Sequence, residues 1–350
     1  MKLELRGVTV SAEGAKNSRR SWPVRRSLLV CLTDVTGGWG LGEAAPLPGY
    51  SSEAYEDTER ALGSVPPEAV ARALDTDDLR TALASVAALV PSSAPSARFA
   101  LESAALDWRA RRGGVSAPAL LGAEADAARP LAALLGSAAS PTLLTDAQRA
   151  FDDGYRCFKL KVGAPNALSS ELSGAAELRA HFGDGVSLRL DANAALDATA
   201  LRDAGSSLAA LALELFEEPG GALPAGVPLG LDESLQGCEP DRAEALWQSR
   251  AARVIVLKPT ALGGLLHCRQ LAERAEAGGL EAVVSHAFEG PVAWRAAAAL
   301  ALALPNGMAH GLAPHGALSS WPGDHLPVVR GSLHAWSEPG LGYPLELAFP

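Results

Sequence analysis

Lysine is almost missing from this 350-residue chain. Five lysines (Lys2, Lys16, Lys159, Lys161 and Lys258) stand among 30 basic residues, so arginine carries nearly all of the positive charge. Arginine keeps its proton in any protein environment, whereas lysine can lose it where its surroundings disfavour charge. Lys159, Lys161 and Lys258 lie in apolar, strand-like runs and are the first places to look for chemistry. Cysteine is scarce too. Cys31, Cys157, Cys238 and Cys268 are far apart with no CxxC pair, which excludes a thiolate metal cluster of ordinary spacing and fits free thiols in a reducing compartment. Excess basic charge is absent: the net charge is −10, which excludes the basic surface a nucleic-acid partner needs. No apolar run is long enough to span a bilayer, and the Ala-rich stretch 296–304 is too short. The opening "MKLELRGVTVSAEG" has no apolar core of a secretion signal. These absences lead us to expect a cytoplasmic enzyme of small molecules with no nucleic-acid or membrane partner. They leave its oligomeric state open.

What is present reads as two textures. Residues 1–50 suggest an antiparallel unit, with "LELRGVTV" and "SLLVCLTD" as strands, "TGGWGLGEAAPLPGYS" as loop, and the polar "SAEGAKNSRRSW" as a mobile connection. Helices are expected over 53–63, 67–90 and 96–112, the last with Ser96 as its N-cap and Gly113-Gly114 as its stop. This gives an α+β capping domain over 1–115. From 128 to 320, short apolar runs recur: "PLAALLG", "RCFKLKV", "SLRLDAN", "LALELFEEP", "PLGLDES", "RVIVLKP", "EAVVSH" and, weakly, "MAHGLAP". They are spaced by about 25–30 residues, shortened once between the fourth and fifth, with helical spacing between most of them, which predicts an α/β barrel. A doubly wound sheet is the competitor, but no Gly-rich phosphate fingerprint follows an early strand. The tail 321–350, rich in Pro, Gly and Trp, is expected to return to the cap.

Barrel enzymes work at the C-terminal ends of their strands. Those ends here carry Lys159 and Lys161, then Asp191 and Asn193, then Glu217 and Glu218, then Asp232 and Glu233, then Lys258. Any one of these reads as a helix cap or a solvated loop residue. Five consecutive strands aiming charge at one mouth do not. Three carboxylates on neighbouring strands repel unless a cation sits among them, and oxygen donors without Cys or His favour Mg²⁺ over zinc. A lysine beside that cation and a second ammonium is expected to have a lowered pKa and to serve as a general base. Lys258 at the sixth strand would also suit a Schiff-base aldolase, although imine chemistry needs no carboxylate cluster.

With "KLK" 159–161, "LDAN" 190–193, "FEEP" 216–219, "LDES" 231–234 and "LKP" 257–259 in this order, the chain resembles the enolase superfamily and its muconate lactonizing enzyme subgroup. Pairing of a Lys base with Mg²⁺ is a known pattern of those sites. The resemblance implies a modified TIM barrel of (β/α)7β type with an α+β cap. It implies Asp191, Glu217 and Asp232 as ligands of Mg²⁺ (or Mn²⁺), Lys161 as base, Lys159 as its tuner, and Lys258 on the opposite face. "GEAAPLPGYSSEAYEDT" and "LSSWPGDHLPVV" resemble the o-succinylbenzoate synthase family within the subgroup. That likeness implies a lyase of menaquinone biosynthesis, whose substrate is a small carboxylate dehydrated through an enediolate. It also implies substrate contacts by Asn193, by Gly263 and Gly264 of "TALGG", and by Ser285 and Glu289 of "SHAFEG". Dipeptide epimerases of the subgroup carry D-x-D after the eighth strand, where this chain has "GLAPHG". N-succinylamino acid racemisation, dipeptide epimerisation and a non-catalytic role stay open as alternatives. His286, His310 and His315 are read as loop or core residues, and Trp39 and Trp108 as packing residues.

Overall fold

The computed structural model describes residues 1–350 apart from 18, 306, 322–325 and 350. Part of "LSSWPGDHLPVV" therefore lies outside the described residues. Strands β1 (Lys2–Ser11), β2 (Val24–Thr33) and β3 (Trp39–Ala44) form one antiparallel sheet. β3 falls where the sequence suggested loop, and its glycines explain the difference. They are not turn residues. A Cβ at Gly42 would lie 1.9 Å from the carbonyl oxygen of Ala100, and one at Gly40 would lie 2.3 Å from that of Ala104. The missing side chains let β3 lie directly on the helix Pro95–Arg112. That helix starts one residue earlier than expected, and the Ser96 amide donates to Glu53. The helix expected over 67–90 is two, Pro67–Ala73 and Leu79–Ala87, because Asp78 caps the second by accepting from the Thr81 amide at 2.7 Å.

β4 (Ala128–Pro130) precedes the barrel. β5 (Ala132–Ser137), β6 (Cys157–Lys161), β7 (Ser187–Asp191), β8 (Leu215–Glu217), β9 (Leu229–Leu231), β10 (Val254–Leu257) and β11 (Glu281–Val284) form a parallel sheet of seven strands in chain order. The eighth run joins its edges without becoming a named strand. The Ala132 amide donates to the His310 carbonyl at 2.9 Å, and the Gly311 amide to that of Val284 at 2.8 Å. The short spacing between β8 and β9 has a structural counterpart: residues 218–228, rich in Gly and Pro, hold no helix. Alternation explains a strand with two lysines. On β6, Phe158 and Leu160 point out into a core with the barrel helices, while Cys157, Lys159 and Lys161 point in.

Residues 341 and 343 of the tail lie against the helix Pro95–Arg112. Asp107 accepts from the Leu341 amide, and Arg111 donates to the Tyr343 carbonyl. Before that, β12 (Val328–Val329) pairs with β13 (Ser332–His334), and β13 pairs with β4. All four cysteines are free and buried. Among the described residues, no helix is long and apolar enough to cross a membrane.

Two buried carboxylates join the first sheet and its helix to the barrel. Glu43 on β3 accepts from the Gly290 and Ala293 amides, at the start of helix Pro291–Ala303, and from the Ser27 hydroxyl. Glu102 accepts from the Leu265 and Leu266 amides, at the start of helix Leu265–Ala277. Glu43→Ala would strand these donors in a dry interface, and we expect a loss of about 3 kcal/mol in denaturant unfolding. Glu43→Gln, which still accepts, should lose less. Equal stability of Glu43→Ala and wild type would show that water replaces the carboxylate.

Candidate active site

Register sets the site. Across the sheet, Lys161 pairs with Asp191 and Asp191 with Glu217, so the three stand in one row at the strand ends. Lys159 lies two residues deeper on the same face of β6. Its ammonium is 2.8 Å from Asp191 Oδ2 and 2.7 Å from both oxygens of Glu217. Lys161 Nζ donates to Asp191 Oδ2 at 2.5 Å and to Asn193 Oδ1 at 3.0 Å. Lys258, just past β10, pairs with Asp232. In strand order β6 and β10 are separated by three strands, which puts Lys161 and Lys258 on opposite sides of the mouth.

These ion pairs decide the protonation states. Burial penalises the charge on Lys159, but Asp191 and Glu217 outweigh it and hold the ammonium above its ordinary value. Burial likewise opposes the charge on Lys258, and Asp232 overcomes it. Lys159 and Lys258 each touch a carboxylate directly, and that contact is what raises them. Asp191 is pushed up by burial but held well below the carboxylate range by Lys159 and Lys161. Glu217 shares Lys159 with Asp191, and burial together with Asp191's charge pushes it up to about 7.

Glu218 turns away from this row. It accepts from the Asp232 and Ser234 amides and the Ser234 hydroxyl, and so shapes the turn that carries Asp232. Asn193 bridges Lys161 to Glu233, its amide donating to Glu233 Oε1 at 2.9 Å. The three lysines, Asn193 and Ser285 line one cavity of about 240 Å³ at the mouth. Gly263, Gly264 and Glu289 are not part of its lining. Gly264 is pressed against the helix Pro95–Arg112, where a Cβ would lie 2.0 Å from Glu102 Oε2. Glu289 is buried beside the cap and accepts from the Ala287 amide.

Sequence reasoning missed Tyr50, His286 and His315, which also line the cavity. The Tyr50 hydroxyl donates to Asp232 Oδ1 and accepts from Lys258 Nζ, both at 2.9 Å. No local signal marks Tyr50, since its partners are 182 and 208 positions away. The described residues on either side of position 18, in the segment expected to be mobile, make contacts with one another and with the barrel. Lys16 bridges Ser21, Trp22 is buried against Phe288, and Arg19 donates to the Ala194 carbonyl beside the site.

Asp191, Glu217 and Asp232 offer hard oxygen donors at the ends of three adjacent strands, and Lys159 already serves two of them as a cation. In donor type and charge they fit Mg²⁺. Among the described residues, no three carboxylates stand close enough to enclose an ion as they are. Shared ligation needs Lys159 and Lys258 to release their partners.

A family described as enolase C-terminal domain-like matches residues 142–348, more than half of the chain. The chain is a member of the enolase superfamily. It is 30% identical over 291 residues to muconate cycloisomerase 1-1 of Acinetobacter lwoffii, covering 80% of this chain and 75% of that one. It is 26% identical over 317 residues to an o-succinylbenzoate synthase of Desulfotalea psychrophila, covering 80% and 82%. A dipeptide epimerase of Methylococcus capsulatus, solved with Mg and the dipeptide L-Arg-D-Lys, superposes with a TM-score of 0.78 at 25% identity, covering 97% and 98%. The barrel and its separate antiparallel sheet are therefore the superfamily's fold, and the relatives divide among three reactions.

Proposed function

We propose that this enolase-superfamily chain is an Mg²⁺-dependent lyase, an o-succinylbenzoate synthase, that dehydrates 2-succinyl-6-hydroxy-2,4-cyclohexadiene-1-carboxylate. The carrying observation is the pair Lys161 and Lys258 facing each other across one small cavity above the row Asp191–Glu217–Asp232. Bound by those carboxylates, Mg²⁺ would supply positive charge to the substrate carboxylate as its α-proton leaves. Lys161 takes that proton from one face. The same amine, now protonated, returns it to the departing hydroxyl on that face, so water leaves by syn elimination and the ring becomes aromatic. Lys258, released from Asp232 by the ion, stays charged and lies across the ring. Asn193 holds the Lys161 amine in line. The o-succinylbenzoate synthase relative and the lack of D-x-D in "GLAPHG" support this reaction.

The opposed lysines also favour a second reading, a racemase or epimerase in which one lysine removes the proton and the other returns it on the far face. Purified protein with Mg²⁺ should be assayed on the cyclohexadiene substrate, cis,cis-muconate, N-succinylamino acids and L-Ala-L-Glu. Turnover of the first, with the others at least about 100-fold slower, is expected, a margin set by groups the site must pair. Preferred epimerisation of L-Ala-L-Glu, or cyclisation of muconate, would replace the proposal.

A further inference from the structure

We propose that His286 and His315 form the specificity-setting far end of the cavity, where they donate hydrogen bonds to an acceptor oxygen on the distal part of the substrate and leave a free ammonium unpaired. The proposal deepens the reading above and rests on it for the placing of the reacting carboxylate at the lysines.

The two histidines come from different segments. His286 follows β11, and His315 follows the run that closes the barrel. Phe288 stands between them, edge-on to both rings, at centroid distances of 5.5 and 5.0 Å. Each ring turns its Nδ1 edge to the backbone of its own loop. His286 Nδ1 accepts from the Phe288 amide and His315 Nδ1 from the Ala317 amide, both at 3.1 Å. An imidazole that accepts at Nδ1 carries its hydrogen at Nε2. Both rings line the cavity, so the Nε2 edges are the ones left to it. Burial keeps both rings neutral, reinforced at His286 by His315 and the three lysines, which hold it down to about 3. The far wall thus offers two neutral N–H donors on an aromatic frame of Phe288 and Trp22.

The cavity lining holds three lysines and no carboxylate. A dipeptide with a free amino terminus would bring an ammonium to a cavity whose charged side chains are all cationic, whereas an acyl or carboxylate oxygen would be paired by the two imidazole N–H groups. An unpaired buried charge is strongly rejected.

A matched pair of probes separates the cases. N-succinyl-L-phenylalanine and L-Ala-L-Phe share the α-carboxylate and the amide, and differ at the far end in carboxylate against ammonium. With Mg²⁺ present, calorimetry should show wild type binding the succinyl compound at least about 10-fold more tightly, a factor in keeping with one charge-assisted hydrogen bond. His315→Phe and His286→Phe, which keep a ring, should each erase most of that preference by weakening the succinyl compound alone. His315→Gln, which keeps a donor near the Nε2 position, should recover part of it. Equal wild-type affinity for the two probes, binding of neither, or an equal loss of both in the Phe variants would overturn the inference. Turnover is not read, so the outcome is separate from that of the reaction assay: discrimination without dehydration would sink the proposed reaction and leave the histidines their role, and dehydration without discrimination would do the reverse.

Discussion

Lys161→Arg should fold, bind Mg²⁺ and lose turnover by at least about 10³-fold. General-base catalysis alone is worth about 10²–10⁴, and guanidinium has no accessible neutral form. Arginine can still meet Asp191 and Asn193, the two groups that Lys161 contacts now. A role confined to balancing charge would therefore survive the substitution, whereas a role in moving a proton would not. Exchange of the substrate α-hydrogen with deuterated water gives a second readout that does not depend on product release, and it should fall in step. Lys159→Arg should be milder, since Lys159 is assigned to the carboxylates and not to the proton. Near-wild-type turnover and exchange in Lys161→Arg would refute the assignment, and a dead Lys159→Arg beside an active Lys161→Arg would exchange the roles.

Removal of metal by EDTA should abolish turnover, and Mg²⁺ should restore it. Asp191→Asn should weaken Mg²⁺ binding by about 100-fold or more in calorimetry, because it removes one of three charged donors and leaves Lys159 and Lys161 against a neutral amide. Glu217→Gln and Asp232→Asn should act in the same direction. Glu218→Gln is the control. Its carboxylate accepts three hydrogen bonds from residues 232–234 and meets none of the three lysines, so it should lower the melting temperature with little change in Mg²⁺ affinity. Full activity in a metal-free preparation, or the same Mg²⁺ affinity in Asp191→Asn as in wild type, would refute the ligand set.

The charged row was legible because each member ends an apolar strand and alternation fixes which face it takes. Glu217 was preferred to Glu218 through the likeness of "FEEP" to the superfamily's motif, and alternation explains only why the two face opposite ways. What was not legible depended on contacts distant in sequence. Tyr50 meets Asp232 and Lys258 only because the first fifty residues fold over the barrel mouth. Gly40 and Gly42 read as loop because glycine carries no sign of whether it frees the backbone or admits a neighbouring helix. The same ambiguity applies to Gly264, which lets helix Pro95–Arg112 approach, and to Gly263, whose positive φ suits glycine. His286 and His315 looked ordinary since a histidine's value to a site depends on which ring edge its own loop occupies. The raised values of Lys159 and Lys258 follow direct contacts that no spacing reveals.

Glu43 and Glu102 give the chain an inheritance problem. Each supplies the acceptor for the opening amides of a helix encoded far downstream, at residues 290 and 293 for Glu43 and 265 and 266 for Glu102. A graft of another relative's first 115 residues would keep those two helix ends satisfied only if it brought a carboxylate to both positions. Drift in the front part of the chain is thus constrained by backbone groups in the back, which no side-chain change there can remove. Recombination between superfamily members should succeed where each helix end keeps a carboxylate acceptor, native or grafted, and fail where a crossover leaves one without.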